Sequence, residues 1–180
     1  MFFPENTGIL CFIKLILRDS KVKYRSARIE DLAILQDMEQ AVINAERPFN
    51  QDIKQGLQRY YNLEALIRNK SSNLLVAESY NDKTPTIIAS GYADIRESKS
   101  YLKHERHSYL GFMYVAPDQR GSGVIQTLIN RLKTWSIEQG VNDFYLDVYA
   151  HNTAAIRAYE KLGFQASMIE MKLGSNTDAN

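Results

Sequence analysis

One cysteine, Cys11, is the whole thiol content of this 180-residue chain. That excludes an intrachain disulfide, a Cys-x-x-Cys metal knuckle and a dithiol redox pair. Histidine is scarce too: His104, His107 and His151 are the only three, and their spacing matches no metal motif, so a metal centre is not expected. Neither sign of charge is in excess, with 22 basic against 21 acidic residues and a formal charge of +1. Nucleic acid and an anionic membrane are therefore not expected as partners. The N-terminal stretch 8–17 is apolar except for Lys14, but it is too short to span a bilayer as a helix. It lacks a basic segment ahead of it and a small-residue cleavage site behind it, so it does not read as a signal peptide. Cytoplasmic residence is the default expectation. Two readings stay open for residues 1–20: an added strand or short helix covering the domain edge, or an extension through which chains self-associate as a homodimer.

What is present is an ordinary globular composition, 44% hydrophobic and 24% charged. The length suits one well-packed domain and leaves little room for a second. Residues 21–27 read as a first strand, with Val22 and Tyr24 on one side. Glu30 and Asp31 then lead into Leu32, Leu35, Met38, Glu39 and Val42, a helical spacing whose acidic start suits the N-terminal dipole. Pro48 interrupts it. A second helix is expected over 53–67, its limits blurred by Gly56 and Tyr60-Tyr61. Strands are expected at 73–80, 86–96 and 109–115, with a turn at 81–83. The polar stretch 97–107, carrying Tyr101, His104 and His107, is longer than a tight hairpin requires. It is either a substrate-facing flap or a loop without function.

The most informative segment follows: Val115-Ala116-Pro117-Asp118-Gln119-Arg120-Gly121-Ser122-Gly123-Val124. An apolar strand stops at a proline, a polar turn with two glycines intervenes, and Ile125, Leu128, Ile129, Leu132 and Trp135 then recur at helical spacing. Unpaired backbone N–H groups must converge where that helix begins. With no side chain at Gly121 or Gly123, a large ligand can approach the main chain closely. Such a junction suits a phosphate or pyrophosphate, and Arg120 adds a cation beside it.

Beyond the turn the helix is expected to reach about Gln139, with Gly140 at its C-cap. Residues 144–149 read as a strand whose two faces carry Phe144, Leu146 and Val148 on one side and Tyr145, Asp147 and Tyr149 on the other. Asn152 or Thr153 is placed to cap a helix over 154–162 that Gly163 stops. A last strand is expected over 164–173 and a frayed tail over 174–180. The order predicts an α/β (α+β) domain over 21–173, an antiparallel N-terminal sheet feeding a β-α-β-α-β unit in three layers. There are too few strand–helix repeats for a doubly wound nucleotide fold. The turn also lacks the complete G-x-x-x-x-G-K-[ST] loop, so nucleoside triphosphate hydrolysis has no support.

Two segments taken together carry a resemblance. They are Met113-Tyr114-Val115-Ala116-Pro117-Asp118-Gln119-Arg120-Gly121-Ser122-Gly123-Val124, and residues 146–164 with the pattern N-x-x-A-x-x-x-Y-x-x-x-G-F starting at Asn152. This pairing resembles the GCN5-related N-acetyltransferase (GNAT) superfamily, directly over 109–165 and compatibly from 22 to 173. The resemblance implies a single three-layer domain with a central mixed, largely antiparallel, splayed sheet flanked by helices. It implies acetyl-CoA as cosubstrate, its pyrophosphate cradled by Arg120, Gly121, Ser122, Gly123, Val124 and Ile125. Ile125 departs from the glycine or alanine usual at that place. Main-chain groups of Tyr114 and Val115 would hold the pantetheine arm like an added strand, and the Val115 N–H would polarise the thioester carbonyl. Asn152 matches an amide that contacts the cofactor, besides its reading as a helix cap. Tyr159 matches the tyrosine whose hydroxyl protonates the departing thiolate, besides its reading as a packing residue.

Many members carry an acidic residue at the position of Gly111, and this chain does not. Asp147, Asp94, Glu78 or a histidine of the 104–107 loop are the alternatives for a general base, unless enough amine arrives deprotonated to need none. The expected function is acetyl transfer from acetyl-CoA to a primary amine, on a small molecule or a peptide, by direct attack in a ternary complex. An acyl-CoA-binding regulatory module with little turnover is the competing reading, kept open by Gly111 and Ile125.

Overall fold

Among the described residues, five strands hydrogen-bond side by side in the order in which they occur: β1 (Val22–Ser26), β2 (Ser72–Ser79), β3 (Thr86–Glu97), β4 (Arg106–Val115) and β5 (Phe144–Tyr145). This computed structural model describes residues 22–80 and 84–173. The expectations for 1–20, for the 81–83 turn and for the 174–180 tail lie outside the described residues. The first four strands are antiparallel and β4 pairs β5 in parallel, so the sheet is mixed as expected. Almost every residue of β2 is buried, which requires cover on both faces.

That cover comes from helices on opposite sides. Helix α1 (Leu32–Glu46) turns Leu35, Met38, Glu39 and Ile43 inward at helical spacing. With α2 (Leu63–Arg68) it closes over a cluster that includes Leu63, Leu74, Val76, Tyr92 and Phe112. Helix α3 (Val124–Glu138) buries Val124, Leu128, Ile129, Leu132 and Ser136 against the other face. Gly91 admits it: a Cβ there would lie 2.7 Å from the Leu128 side chain. Tyr92, the next residue, points the opposite way into the α1 cluster. A buried polar seam on the α3 side is satisfied, Ser136 Oγ lying 2.8 Å from Ser108 Oγ and donating to the Leu132 carbonyl.

The helix expected over 53–67 is reduced to α2. Its main-chain groups are taken by side chains instead. Arg47 donates to the carbonyls of Ile53, Lys54 and Gly56, and Gln40 accepts from the Gln58 amide. Glu39 Oε1 accepts from the amides of Tyr60 and Tyr61 at 2.7 and 2.8 Å. Held by these bonds, the segment does not follow a helical ladder.

Compact packing divides the chain after Asp147. In the second unit, α4 (Thr153–Glu160) is capped by Asn152, whose side chain accepts from the Ala155 amide, and Gly163 follows it at φ +90°. Two strand expectations are corrected. The strand over 144–149 is only Phe144–Tyr145, and residues 164–173 form no strand. Alternation of side chains describes one strand, but a ladder needs a neighbour with free backbone groups. Met168, Ile169, Met171 and Leu173 stay exposed.

At the β1 edge, Arg25 bridges Asp31 (2.7 Å) and Glu78 (2.6 Å). The Arg25 hydrogen bond holds the Asp31 carboxyl below the usual range. Burial pushes Glu78 upward, but the bonds from Arg25 and Tyr80 outweigh it and leave it lowered too. Depressed folded-state values contribute stability above the unfolded values, near pH 4, and lose it as pH falls through the folded ones. Thermal melts between about pH 5 and pH 2 should therefore show a stability loss on acidification that shrinks in Arg25→Met. An unchanged slope in the variant would contradict the assignment.

Candidate active site

The sheet is interrupted where β4 approaches the glycine turn. Tyr92 sits opposite Gly111 and Ser90 opposite Tyr114, so Gly91 alone faces both Phe112 and Met113. This is a β-bulge, and Phe112 within it adopts φ +56°. A buried aromatic residue in the left-handed region costs on the order of 1–3 kcal/mol and persists only where packing over-determines it. Here the Phe112 ring is 1% exposed and lies 5.3 Å from the Tyr61 ring. Burial pushes the Tyr61 phenol up, against an opposing hydrogen bond from the Phe112 backbone.

Past the bulge, the Ala116 amide donates to the Ile88 carbonyl at 2.8 Å. In an antiparallel ladder bonded pairs alternate, so the neighbouring pair Val115 and Ala89 aims its backbone groups away from each other. The Val115 N–H therefore points off β3 toward the β5 side. There β5 pairs only through Ser108↔Phe144 and Tyr109↔Tyr145. Among the described residues no strand covers β4 from 110 to 115, which is the splay.

The turn then presents donors. A 3-10 turn at Pro117–Gln119 leads to Arg120, which is exposed, and Ser122 donates its hydroxyl to the Gln119 carbonyl. Gly121 and Gly123 stand at φ +73° and +86°, and a Cβ on either would meet nothing within 4 Å. Their amides, and those of Val124, Ile125 and Gln126 in the first turn of α3, take no hydrogen bond among the described residues. An open cradle of unpaired amides at the positive end of a 15-residue helix fits a diphosphate. Val124 is buried and Ile125 half-buried.

The other expected site residues belong to the second unit and share α4. Asn152 is its N-cap, with its oxygen engaged by Ala155. Tyr159 is the last residue but one of that helix, its ring packed edge-to-face on Phe164 at 6.0 Å.

A match to the acetyltransferase (GNAT) family model runs over residues 35–164. The chain belongs to that family. Among named relatives it is 28% identical over 78 residues to an aminoglycoside N(6')-acetyltransferase type 1 from Stenotrophomonas maltophilia, over 42% of this chain and 51% of the relative. It is 31% identical over 97 residues to the acetyltransferase ECA0875 of Pectobacterium atrosepticum, over 54% of this chain and 61% of the relative. The chain thus spans only about half to three-fifths of these relatives. Two solved GNAT-like folds superpose over most of it. The BH1408 protein of Bacillus halodurans, solved as a tetramutant, gives a TM-score of 0.72 at 21% identity, covering 84% of this chain and 99% of that one. A predicted acetyltransferase from Clostridium acetobutylicum, solved with acetyl-CoA, gives 0.64 at 20% identity, covering 85% and 96%.

The GNAT chain differs from the expected pattern of bases in an informative way. At Gly111 a Cβ would meet the Tyr92 hydroxyl at 2.6 Å, so that phenol fills the space where a side chain would project. Glu78 is committed to Arg25, and Asp94 accepts from Arg96 at 3.0 Å. His107 shares a hydrogen bond with Ser98, and burial lowers its pKa. His104 lies 3.2 Å from the Tyr145 hydroxyl. Asp147 accepts from the Tyr109 hydroxyl at 2.8 Å. No cluster of three metal-ligating side chains exists among the described residues, and none of their helices is long and apolar enough to cross a membrane.

Sequence reasoning did not reach Phe112, Tyr61, or Glu39 as the clamp beneath Tyr61. Only Glu39 had a legible signal, a carboxylate four residues after Leu35 inside an apolar stripe.

Proposed function

We propose that this GNAT chain transfers the acetyl group of acetyl-CoA to a primary amine by direct attack within a ternary complex. The observation that carries the reading is the set of unpaired amides at Gly121, Gly123, Val124 and Ile125 beside the splay into which the Val115 N–H points. Bound acetyl-CoA supplies an activated thioester carbonyl. The turn amides and Arg120 hold its diphosphate, with Ser122 shaping the loop. Tyr114 and Val115 offer main-chain groups to the pantetheine arm, and Asn152 retains its amide nitrogen for the same arm. The Val115 N–H donates to the carbonyl oxygen as negative charge collects there, a fixed dipole that needs no reorganisation. The Tyr159 hydroxyl delivers a proton to the departing sulfur. An amino sugar or another small amine is the acceptor class favoured by the likeness to an aminoglycoside acetyltransferase.

The test has two parts. Calorimetric titration with CoA should show binding to the wild type and at least tenfold weaker binding to Gly123→Val, because a β-branched residue resists φ +86° and places methyl groups in the cradle. Incubation with acetyl-CoA and an amine panel (kanamycin A, spermidine, a free peptide N-terminus), read by mass spectrometry, should show acceptor-dependent gain of one acetyl group. Binding without transfer would favour a regulatory module, and no CoA binding would remove the proposal.

A further inference from the structure

We propose that residues 8–17 of this chain join the outer edge of β1 as an added strand and seat their apolar side chains in the groove between β1, β2 and α3. This docking does not depend on acetyl transfer. The groove has a volume of about 400 Å³ and is lined by Tyr24, Leu75, Arg131, Trp135 and Glu138 among others. Its walls are fixed. The Tyr24 hydroxyl donates to the Val124 carbonyl at 3.3 Å, and the Arg131 guanidinium lies 4.9 Å from the centroid of the Tyr24 ring. Trp135, the only tryptophan of the chain, is half-buried there. Glu138 makes no ion pair among the described residues.

The edge beside the groove is suited to a further strand. β1 ends the sheet on that side, and among the described residues no strand pairs with its outer edge. The Ala27 amide donates to the Leu74 carbonyl at 2.7 Å, so by alternation residues 22, 24 and 26 turn their amides outward. A row of outward main-chain groups is a template for another strand.

Residues 8–17 match both features. They are apolar except for Lys14, and Ile9, Phe12, Ile13 and Ile16 favour extended chain. Arg18, Asp19, Ser20 and Lys21 separate them from Val22, a polar interval of the length that closes a hairpin. Five residues from Leu17 to Val22 span up to about 18 Å, and neighbouring strands stand only about 4.8 Å apart. Running back antiparallel to β1, ten residues cover roughly 33 Å and pass Ser26. Ser26 is level with Leu75, which shares the groove with Trp135 and Glu138. The aliphatic side chains then cover Trp135, and Lys14, the sole charge of the segment, meets Glu138. So short a tether holds the segment at an effective concentration in the millimolar range, which favours its own groove over that of a second copy.

The single cysteine and the single tryptophan make the contact measurable in the full chain. A nitroxide on Cys11 quenches tryptophan fluorescence only at near contact. Trp135 emission should fall at least twofold against the diamagnetic label, independently of protein concentration. The labelled Ile16→Asp variant should lose the quenching. Without any label, Ile16→Asp should speed hydrogen exchange at residues 22, 24 and 26 at least tenfold while the α3 amides stay protected. Labelled Trp135→Phe mixed with unlabelled Cys11→Ser reports contact between chains, and the mixture should stay bright. Emission equal to the diamagnetic control, or β1 exchange unchanged in Ile16→Asp, overturns the docking. Quenching in the mixture overturns it in favour of exchange between two copies.

Discussion

Glu39→Ala should lower the stability of this GNAT domain by about 3–5 kcal/mol, the largest effect expected of any single substitution here. The Glu39 side chain is fully buried at the centre of α1, where a carboxylate persists only if its oxygens are satisfied. Both of its strong partners are main-chain amides, those of Tyr60 and Tyr61. Truncation leaves these two donors without acceptors and opens a void beneath them. The Arg59 contact adds little, because it spans 3.4 Å and that guanidinium is half exposed. Urea denaturation should show the midpoint falling, and hydrogen exchange should show protection lost first at the Tyr60 and Tyr61 amides. Glu39→Gln keeps an acceptor oxygen and should lose less than half as much. An alanine variant as stable as wild type would mean that the segment 57–62 is not held by this carboxylate. The consequence reaches the site, because Tyr61 packs on the strained Phe112 and also lines a cavity of about 520 Å³ with Gln36, Glu39 and Arg59.

The second large effect is expected on rate. Tyr159→Phe should reduce kcat by about 10²-fold, equivalent to about 2.7 kcal/mol of barrier, with CoA affinity unchanged. The hydroxyl is the proton donor proposed for the departing sulfur. The substitution keeps the ring and its edge-to-face packing on Phe164, so it isolates the hydroxyl. Stopped-flow or thiol-trapping measurement of CoA release, beside calorimetry for binding, separates the two effects. Equal turnover by the phenylalanine variant would remove Tyr159 from the chemistry and leave its packing role alone.

Elements whose pattern is local were read correctly. Leu35, Met38, Glu39 and Val42 marked α1, and Ile125, Leu128, Ile129 and Leu132 marked α3, because each helix shows its buried stripe in its own spacing. Gly140 and Gly163 stand at positive φ after α3 and α4, as stop signals do. The reading failed where distant groups decided. Residues 53–62 have helical composition, but Arg47, Gln40 and Glu39 take the backbone bonds a helix would need. Residues 164–173 alternate like a strand and form none.

The chain's linear order thus determined the family, the helix at the glycine turn and the amides at its start, since each follows from neighbours along the sequence. Only the tertiary structure decided the bulge at Phe112, the direction of the Val115 amide, the Tyr92 hydroxyl over Gly111 and the pairing of Tyr109 with Asp147. These depend on strand register and on side chains from separate elements meeting in space. A one-residue shift in register would turn these side chains to the other face of the sheet.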